Sequence, residues 1–308
     1  MLTIQPTGAV LGATVRGLDL TRPVSDLDFG RLLNGLGTYG VLHCPDMHFD
    51  MDSFKAFSLR FGDIQGSPVP GANAIGLAYG GVGTLSNLKE NGAYIGAAYA
   101  GQDWHTDMSY RDVIGFVNLL YGIRIPRRDG KPLGGTEFSN MHAAYDALPD
   151  ALKTQLNGMT ASHSYEKFWE HMRLDKGADR PPMTEEQRRA RPPVTHPLFL
   201  THPISGRKVL YCNPGYTVKI NELPADESDQ ILTQLFDHQL QQRFRHIHHW
   251  TENDLIIWDH IGTIHRAIDD YGPNDIRLMR RCQIMANKVF DPAFSELART
   301  AAQEETRT

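Results

Sequence analysis

Cysteine is scarce in this chain. Cys44, Cys212 and Cys282 are the only three among 308 residues, widely spaced and without a C-x-x-C pair. That excludes a disulfide framework and points to a reducing compartment. Long apolar runs are missing too, and none approaches the roughly 20 residues a membrane-spanning helix needs. Residues 1–20 lack the basic run and apolar core of a signal peptide, so a cytoplasmic location is expected. Positive charge is not in excess: 31 Lys and Arg face 36 Asp and Glu, a net charge of −5. No bulk field therefore attracts nucleic acid or an anionic membrane. The 28 glycines and 18 prolines follow no fixed period, and 41% hydrophobic residues are enough to fill a core. Collagen-like and disordered classes are excluded. What the chain has in number is histidine, 14 residues, and the question is which of them carry chemistry.

The first third mixes short strands with two helical stretches. Ser25–Tyr39 follows Pro23 and places Leu27, Leu32, Leu33 and Leu36 at helical spacing before Gly40. Val41–Cys44 reads as a buried strand. Asp50–Phe61 reads as a second helix, capped by Asp50 or Asp52 and ended by Gly62. Residues 66–83 are rich in glycine and read as a loop; the Tyr79–Gly83 run lacks the Lys and helix of a phosphate-binding loop. Beyond residue 103 strand signals dominate, at Gly115–Ile125, Val209–Cys212, Leu255–Trp258 and Arg277–Ala286. Helices are expected at about Met141–Gly158 and Ala225–Gln241. The charged stretch Glu166–Arg191, with Pro181-Pro182, reads as a solvated loop or lid over a site. With no repeat and no linker strong enough to cut the chain, residues 1–308 read as a single domain. It is expected to be mainly β, with a jelly-roll or barrel core and helical additions.

Asp103-Trp104-His105-Thr106-Asp107 sets an imidazole and a carboxylate two residues apart. In an extended strand, residues i and i+2 share a face, so His-x-Asp offers one nitrogen and one oxygen to a single ion. Alone the pair is weak, and a solvated strand end is its commoner meaning. A third donor downstream changes the balance: a buried strand ending Trp258-Asp259-His260 leads to Thr263-Ile264-His265-Arg266-Ala267. Two histidines and a carboxylate on one face of an octahedron leave three positions open, as in the facial triad of non-haem Fe(II) oxygenases. Zinc accepts the same donors.

Trp104-His105-Thr106-Asp107 and Trp258–Ala267 together resemble the TauD/TfdA family of iron- and 2-oxoglutarate-dependent dioxygenases. Gly134-Gly135-Thr136-Glu137-Phe138, Thr201-His202-Pro203, Gly206–Tyr211 and Arg277–Arg281 extend the resemblance in order over roughly residues 8–290. It implies a double-stranded β-helix of the jelly-roll, cupin-like kind, flanked by helices, with His105, Asp107 and His265 holding Fe(II). Thr136 matches the threonine that bonds the distal carboxylate of 2-oxoglutarate. Arg277 and Arg281 match the two arginines that contact 2-oxoglutarate and, in some members, an acidic substrate. The His265–Arg277 spacing is one residue longer than in the taurine enzymes, which leaves open which arginine does which. Arg277 and Arg281, four apart on a strand, share a face that Arg280 does not, and a guanidinium fork suits a carboxylate. Trp250 matches a position on the 2-oxoglutarate side in some relatives, a core tryptophan being the equal alternative.

The implied reaction couples decarboxylation of 2-oxoglutarate, giving succinate and carbon dioxide, to oxidation of a small substrate by O2. Asp107 argues against halogenation, since halogenating relatives leave that position open. Taurine-oxidising members carry a His followed by Pro-Val-Tyr where this chain has Ser67-Pro68-Val69-Pro70. Taurine is thus disfavoured, and an anionic carboxylate, aryloxy acid, sulfate ester, sulfonate or phosphonate is expected. Ser67, Met108 and Tyr110 are expected to shape its pocket. The resemblance further implies a homo-oligomer, a dimer or tetramer.

Of the other histidines, His246 and His248 share a strand face in Arg-His-Ile-His-His-Trp; a polar sheet surface is the better account there than a second metal. His260 rivals His265 as third ligand. His163 and His202 fall in family-like segments and read as core or supporting residues. His43, His48, His142, His171, His196 and His238 show no partner pattern and read as ordinary. A zinc hydrolase on the same donors would give Thr136 and the arginines no role, and a non-catalytic jelly-roll binding module would hold no metal.

Overall fold

The computed structural model describes residues 2–65, 80–98, 101–176 and 181–305. Its longest strand, Gly115–Arg124, is buried on both faces over its first eight residues. Such a strand needs cover on both sides, and it has it. It lies inside a seven-stranded sheet ordered Thr3–Pro6, Ala13–Arg16, Val41–Cys44, Leu255–Asp259, Gly115–Arg124, Leu278–Met285 and Gly83–Ser86. All neighbours are antiparallel except Ala13–Arg16 with Val41–Cys44.

Helices cover one face. In α1 (Asp26–Tyr39), Ser25 accepts the Asp28 N–H at 3.1 Å, and Asp26 and Asp28 sit in the first turn. Both features suit the positive end of a helix. Its Phe29, Leu32, Leu33 and Leu36 pack with Phe54 and Phe57 of α2 (Met51–Ser58) and with Val117, Leu119, Ile257, Cys282 and Ile284 of the sheet. Each fully buried leucine contributes about 1.5–3 kcal/mol of transfer free energy. The C-terminal helix Pro292–Glu305 crosses α1 at Gly30, where a Cβ would lie 2.3 Å from the Leu297 carbonyl oxygen. Only glycine admits that approach.

The opposite face meets a three-stranded sheet ordered Arg245–His248, Thr136–Asn140 and Thr263–Ala267. Val41, Leu120, Phe138, Trp250, Ile256, Trp258 and Met279 fill the space between the sheets. Phe138 from one meets Trp258 from the other edge-on, with ring centroids 5.5 Å apart. Ile256 and Trp258 point inward while Leu255 and Ile257 point to the helices, as the two-residue period of a strand requires. The core is the expected jelly-roll flanked by helices.

Local expectations differ from the structure in two places. The helix expected over 141–158 is two, α3 (Met141–Asp146) and α4 (Asp150–Leu156). Pro149 between them has no N–H to continue the ladder and disfavours helical geometry at Leu148. The stretch 166–191 is not a plain loop: it contains α5 (Tyr165–Leu174) and α6 (Glu185–Ala190). The α6 start is a capping box, Thr184 and Gln187 each satisfying the other's backbone N–H. Of the loop expected over 66–83, residues 66–79 lie outside the described residues, Ser67 among them; Gly83 opens a strand. Among the described residues no helix is long and apolar enough to cross a membrane.

Candidate active site

Strand pairing brings the separated motifs together. His105 and His265 form an antiparallel bridge in which each backbone N–H donates to the other's carbonyl, at 3.0 and 2.8 Å. Their rings stand 4.4 Å apart. His265 is the middle residue of its strand and faces Phe138 across the small sheet. Asp107 completes the set, its Oδ1 3.5 Å from His105 Nε2 and its Oδ2 3.8 Å from His265 Nε2. All three residues are buried or nearly so. His105 Nδ1 donates to the Asp103 carbonyl at 2.7 Å, so in the neutral ring the lone pair falls on Nε2. Burial, then His105, keeps His265 neutral by driving its pKa well below the usual value. Burial opposes the Asp107 charge, but the His105 hydrogen bond and the nearby imidazoles hold its carboxyl well below the usual range. Burial opposes a charge on His105, but the Asp107 contact outweighs it and raises its pKa, so this imidazole gives up a proton when it binds an ion; two imidazoles and a carboxylate are then a donor set that fits a divalent transition ion. His260 is equally near Asp107, at 3.8 Å, but it is turned toward Thr106 and does not line the cavity beside the other three.

That cavity, about 180 Å³, is lined by His105, Asp107, His265, Thr136, Arg277 and Arg281. Arg280, on the other strand face, bonds Thr84. Arg277 is 6% exposed. Its stem passes over Gly134, where a Cβ would lie 3.0 Å from its Cδ and Nε; φ there is +69°. The guanidinium lies beside Tyr271, its Nε is buried without a partner, and burial presses its pKa down, Tyr271 opposing. Neither Arg277 nor Arg281 forms an ion pair with a carboxylate among the described residues. The field of Arg281 reaches His105, His260 and His265, whereas Arg277 acts on Tyr271. The Arg281 charge is thus felt at the triad, while the Arg277 stem passes over Gly134, two residues before Thr136, into the same cavity.

Trp250 does not line the cavity. It is fully buried, and its Nε1–H donates to Thr136 Oγ1 at 3.0 Å. With that lone pair engaged, the Thr136 hydroxyl proton is free to point into the cavity. Met108, expected in the substrate pocket, is turned inward: it is 1% exposed, has φ +63° and packs on Gly115. Tyr110 lines a neighbouring cavity of about 620 Å³, and its ring lies tilted against that of Tyr216 with centroids 4.7 Å apart. Tyr216 itself reaches the triad cavity, together with Phe168 and Met172 of α5, Asn118 and Trp258. None of these five was singled out from sequence. Phe168 and Met172 are four apart on a helix, a spacing that places them on one face, but the charged residues around them mask it.

A jelly-roll holding two histidines and a carboxylate beside two guanidinium groups that have no carboxylate partner among the described residues defines an Fe(II)- and 2-oxoglutarate-dependent dioxygenase. The family description "taurine catabolism dioxygenase TauD, TfdA family" matches residues 3–283, and the chain belongs to that family. It is 31% identical over 294 residues to pentalenolactone F synthase of Streptomyces avermitilis, covering 89% of this chain and 90% of that protein. It is 30% identical to the alpha-ketoglutarate-dependent 2,4-dichlorophenoxyacetate dioxygenase of Burkholderia sp. (strain RASC), over 88% of this chain and 92% of the other. The solved structure of AAD-2 in complex with Mn(II) and N-oxalylglycine superposes with a TM-score of 0.75 at 28% identity, covering 92% of this chain and 97% of that one. The protein is a 2-oxoglutarate-dependent dioxygenase that uses Fe(II).

Proposed function

We propose that His105, Asp107 and His265 hold the iron and that Thr136 and Arg277 hold the distal carboxylate of 2-oxoglutarate. Arg281 then receives the anionic group of the primary substrate. The observation that carries this reading is one cavity that holds the donor set together with a buried guanidinium that has no carboxylate partner among the described residues and an unpartnered Nε. When Fe(II) and 2-oxoglutarate are bound, the chemistry available is oxidative decarboxylation to succinate and CO2 coupled to oxygenation of a C–H bond. The residues of this chain position and exclude. Asp103 fixes the His105 ring, Trp250 orients the Thr136 hydroxyl, and Asn118 holds Asp107 at 3.5 Å. Phe168, Met172, Tyr216 and Leu120 keep water from the cavity and offer an apolar body its contacts.

An apolar wall beside the Arg281 guanidinium, which has no carboxylate partner among the described residues, supports a small organic anion as substrate: a carboxylate, aryloxy acid, sulfate ester or sulfonate. Relatives named for 2,4-dichlorophenoxyacetate and for a sulfate ester support the same range. Oxygenation beside an ether or ester oxygen gives a hemiacetal-like product that breaks the C–O bond; elsewhere it gives a stable alcohol. The test is anaerobic titration of the metal-free protein with Fe(II) and 2-oxoglutarate, following the visible charge-transfer band of the chelate. A panel of such anions is then assayed in air for succinate. A band lost in Asp107→Ala is expected. No band in the wild type, with no succinate from any anion, overturns the assignment.

A further inference from the structure

Two more sets of two histidines and an aspartate occur among the described residues, His142/His202/Asp259 and His43/His248/Asp254. The first is a closed strut. Asp259 already accepts the N–H groups of Ile261 and Gly262 at 2.9 and 2.7 Å. His202 Nδ1 accepts from Ile204 and Ser205, so its Nε2 carries the proton; it lies 3.0 Å from Asp259 without hydrogen-bond geometry. All three side chains are buried, and none offers a donor to solvent.

The second set shares the backbone-bonded aspartate but opens to solvent. His43 and Asp254 belong to the large sheet and its approach, and His248 to the small sheet, so the three meet in the gap between the sheets. His43 Nε2 is 2.8 Å from Asp254 Oδ1, and His248 Nε2 is 3.4 Å from Oδ2. Those separations are shorter than the 3.5 and 3.8 Å of the iron triad. Around a tetrahedral zinc with ligands at about 2.0–2.1 Å, donor atoms stand about 3.3 Å apart. His248 Nε2 is buried without a hydrogen-bond partner, while the His43 side chain is 27% exposed and opens the set to solvent. The supporting contacts are in place too: Asp254 Oδ2 accepts the Thr251 N–H at 2.7 Å, and the His248 ring stands edge-on to Trp250 at 4.8 Å.

We propose that His43, His248 and Asp254 form a second divalent-cation site, of the zinc-binding class, that ties the two sheets together one tryptophan ring away from Thr136. The histidine tract 246–249 thus supplies one donor, and its partners come from residues more distant in sequence. The proposal does not depend on iron chemistry, and its test removes the iron triad.

In an Asp107→Ala/His265→Ala background, zinc is added at micromolar free concentration, bound zinc per chain is counted after dialysis, and thermal unfolding is recorded. One zinc per chain and a raised Tm are expected, because an ion that binds only the folded state stabilises it. Adding His43→Ala, a half-exposed position, abolishes both. As a check free of folding defects in that background, the otherwise wild-type chain should bind two zinc ions and His43→Ala one. No zinc in the background, or a bound zinc and Tm shift that survive His43→Ala, would mean that these residues form a hydrogen-bonded network only.

Discussion

Arg277→Met separates a ligand-binding guanidinium from a structural one. The side chain is buried, has no carboxylate partner among the described residues and carries an unpaired Nε. Its backbone contacts, to the Asn87 side chain and from the Ser86 hydroxyl, survive any side-chain change. A hydrogen bond to a charged group contributes about 1.5–3 kcal/mol. Losing a two-bond fork to a carboxylate therefore costs about 3 kcal/mol or more. At 1.4 kcal/mol per tenfold, KM for 2-oxoglutarate should rise on the order of 100-fold. In the ligand-free protein the same change removes a desolvated cation and leaves an apolar chain of similar length. Unfolding free energy should fall by no more than about 1 kcal/mol, or rise. The assay is initial-rate succinate formation against 2-oxoglutarate, paired with urea unfolding of the metal-free protein. A KM within about threefold of wild type, or a stability loss well above 2 kcal/mol, would refute the assignment: the guanidinium would then serve the fold.

Trp250→Phe removes the donor to Thr136 Oγ1; at about 1 kcal/mol for the lost bond, KM for 2-oxoglutarate should rise several-fold while KM for the primary substrate stays put. Arg281→Met should do the reverse, which steady-state kinetics with both substrates varied can show. Leu36→Ala empties a fully buried position of α1 and should cost about 2–5 kcal/mol in urea unfolding, with KM values unchanged. Burial lowers the pKa of His142 to about 4 and of His163 to about 3, from 6.5. The unfolded chain then binds the extra protons first, so stability is full above pH 6.5 and falls as pH drops toward 4. His163→Gln should flatten that slope, as unfolding curves at several pH values can test; an unchanged slope would show that His163 does not carry it.

Much of the site is legible in sequence because its parts are local. His105 and Asp107 reach one cavity from two residues apart, though from an isolated bridge and the turn after it and not from the strand expected; Arg277 and Arg281 reach it from four apart, and Ser25 and Asp50 announce the helices they cap. Whatever depends on which strands become neighbours stays hidden. The Trp250–Thr136 bond spans 114 residues and the His43–Asp254 contact 211, so His43 looks ordinary until its strand is placed beside Leu255–Asp259. Met108 illustrates a subtler limit. Next to the ligands it reads as a pocket residue, but a positive φ directly after Asp107 turns the chain and buries the side chain against Gly115. The pocket wall is instead supplied by α5, whose Phe168 and Met172 sit among charged neighbours that read as a solvated excursion. Substrate contacts on an insertion are free to vary without disturbing the iron-binding strands, so the part of the sequence that reads least clearly is the part that chooses the substrate.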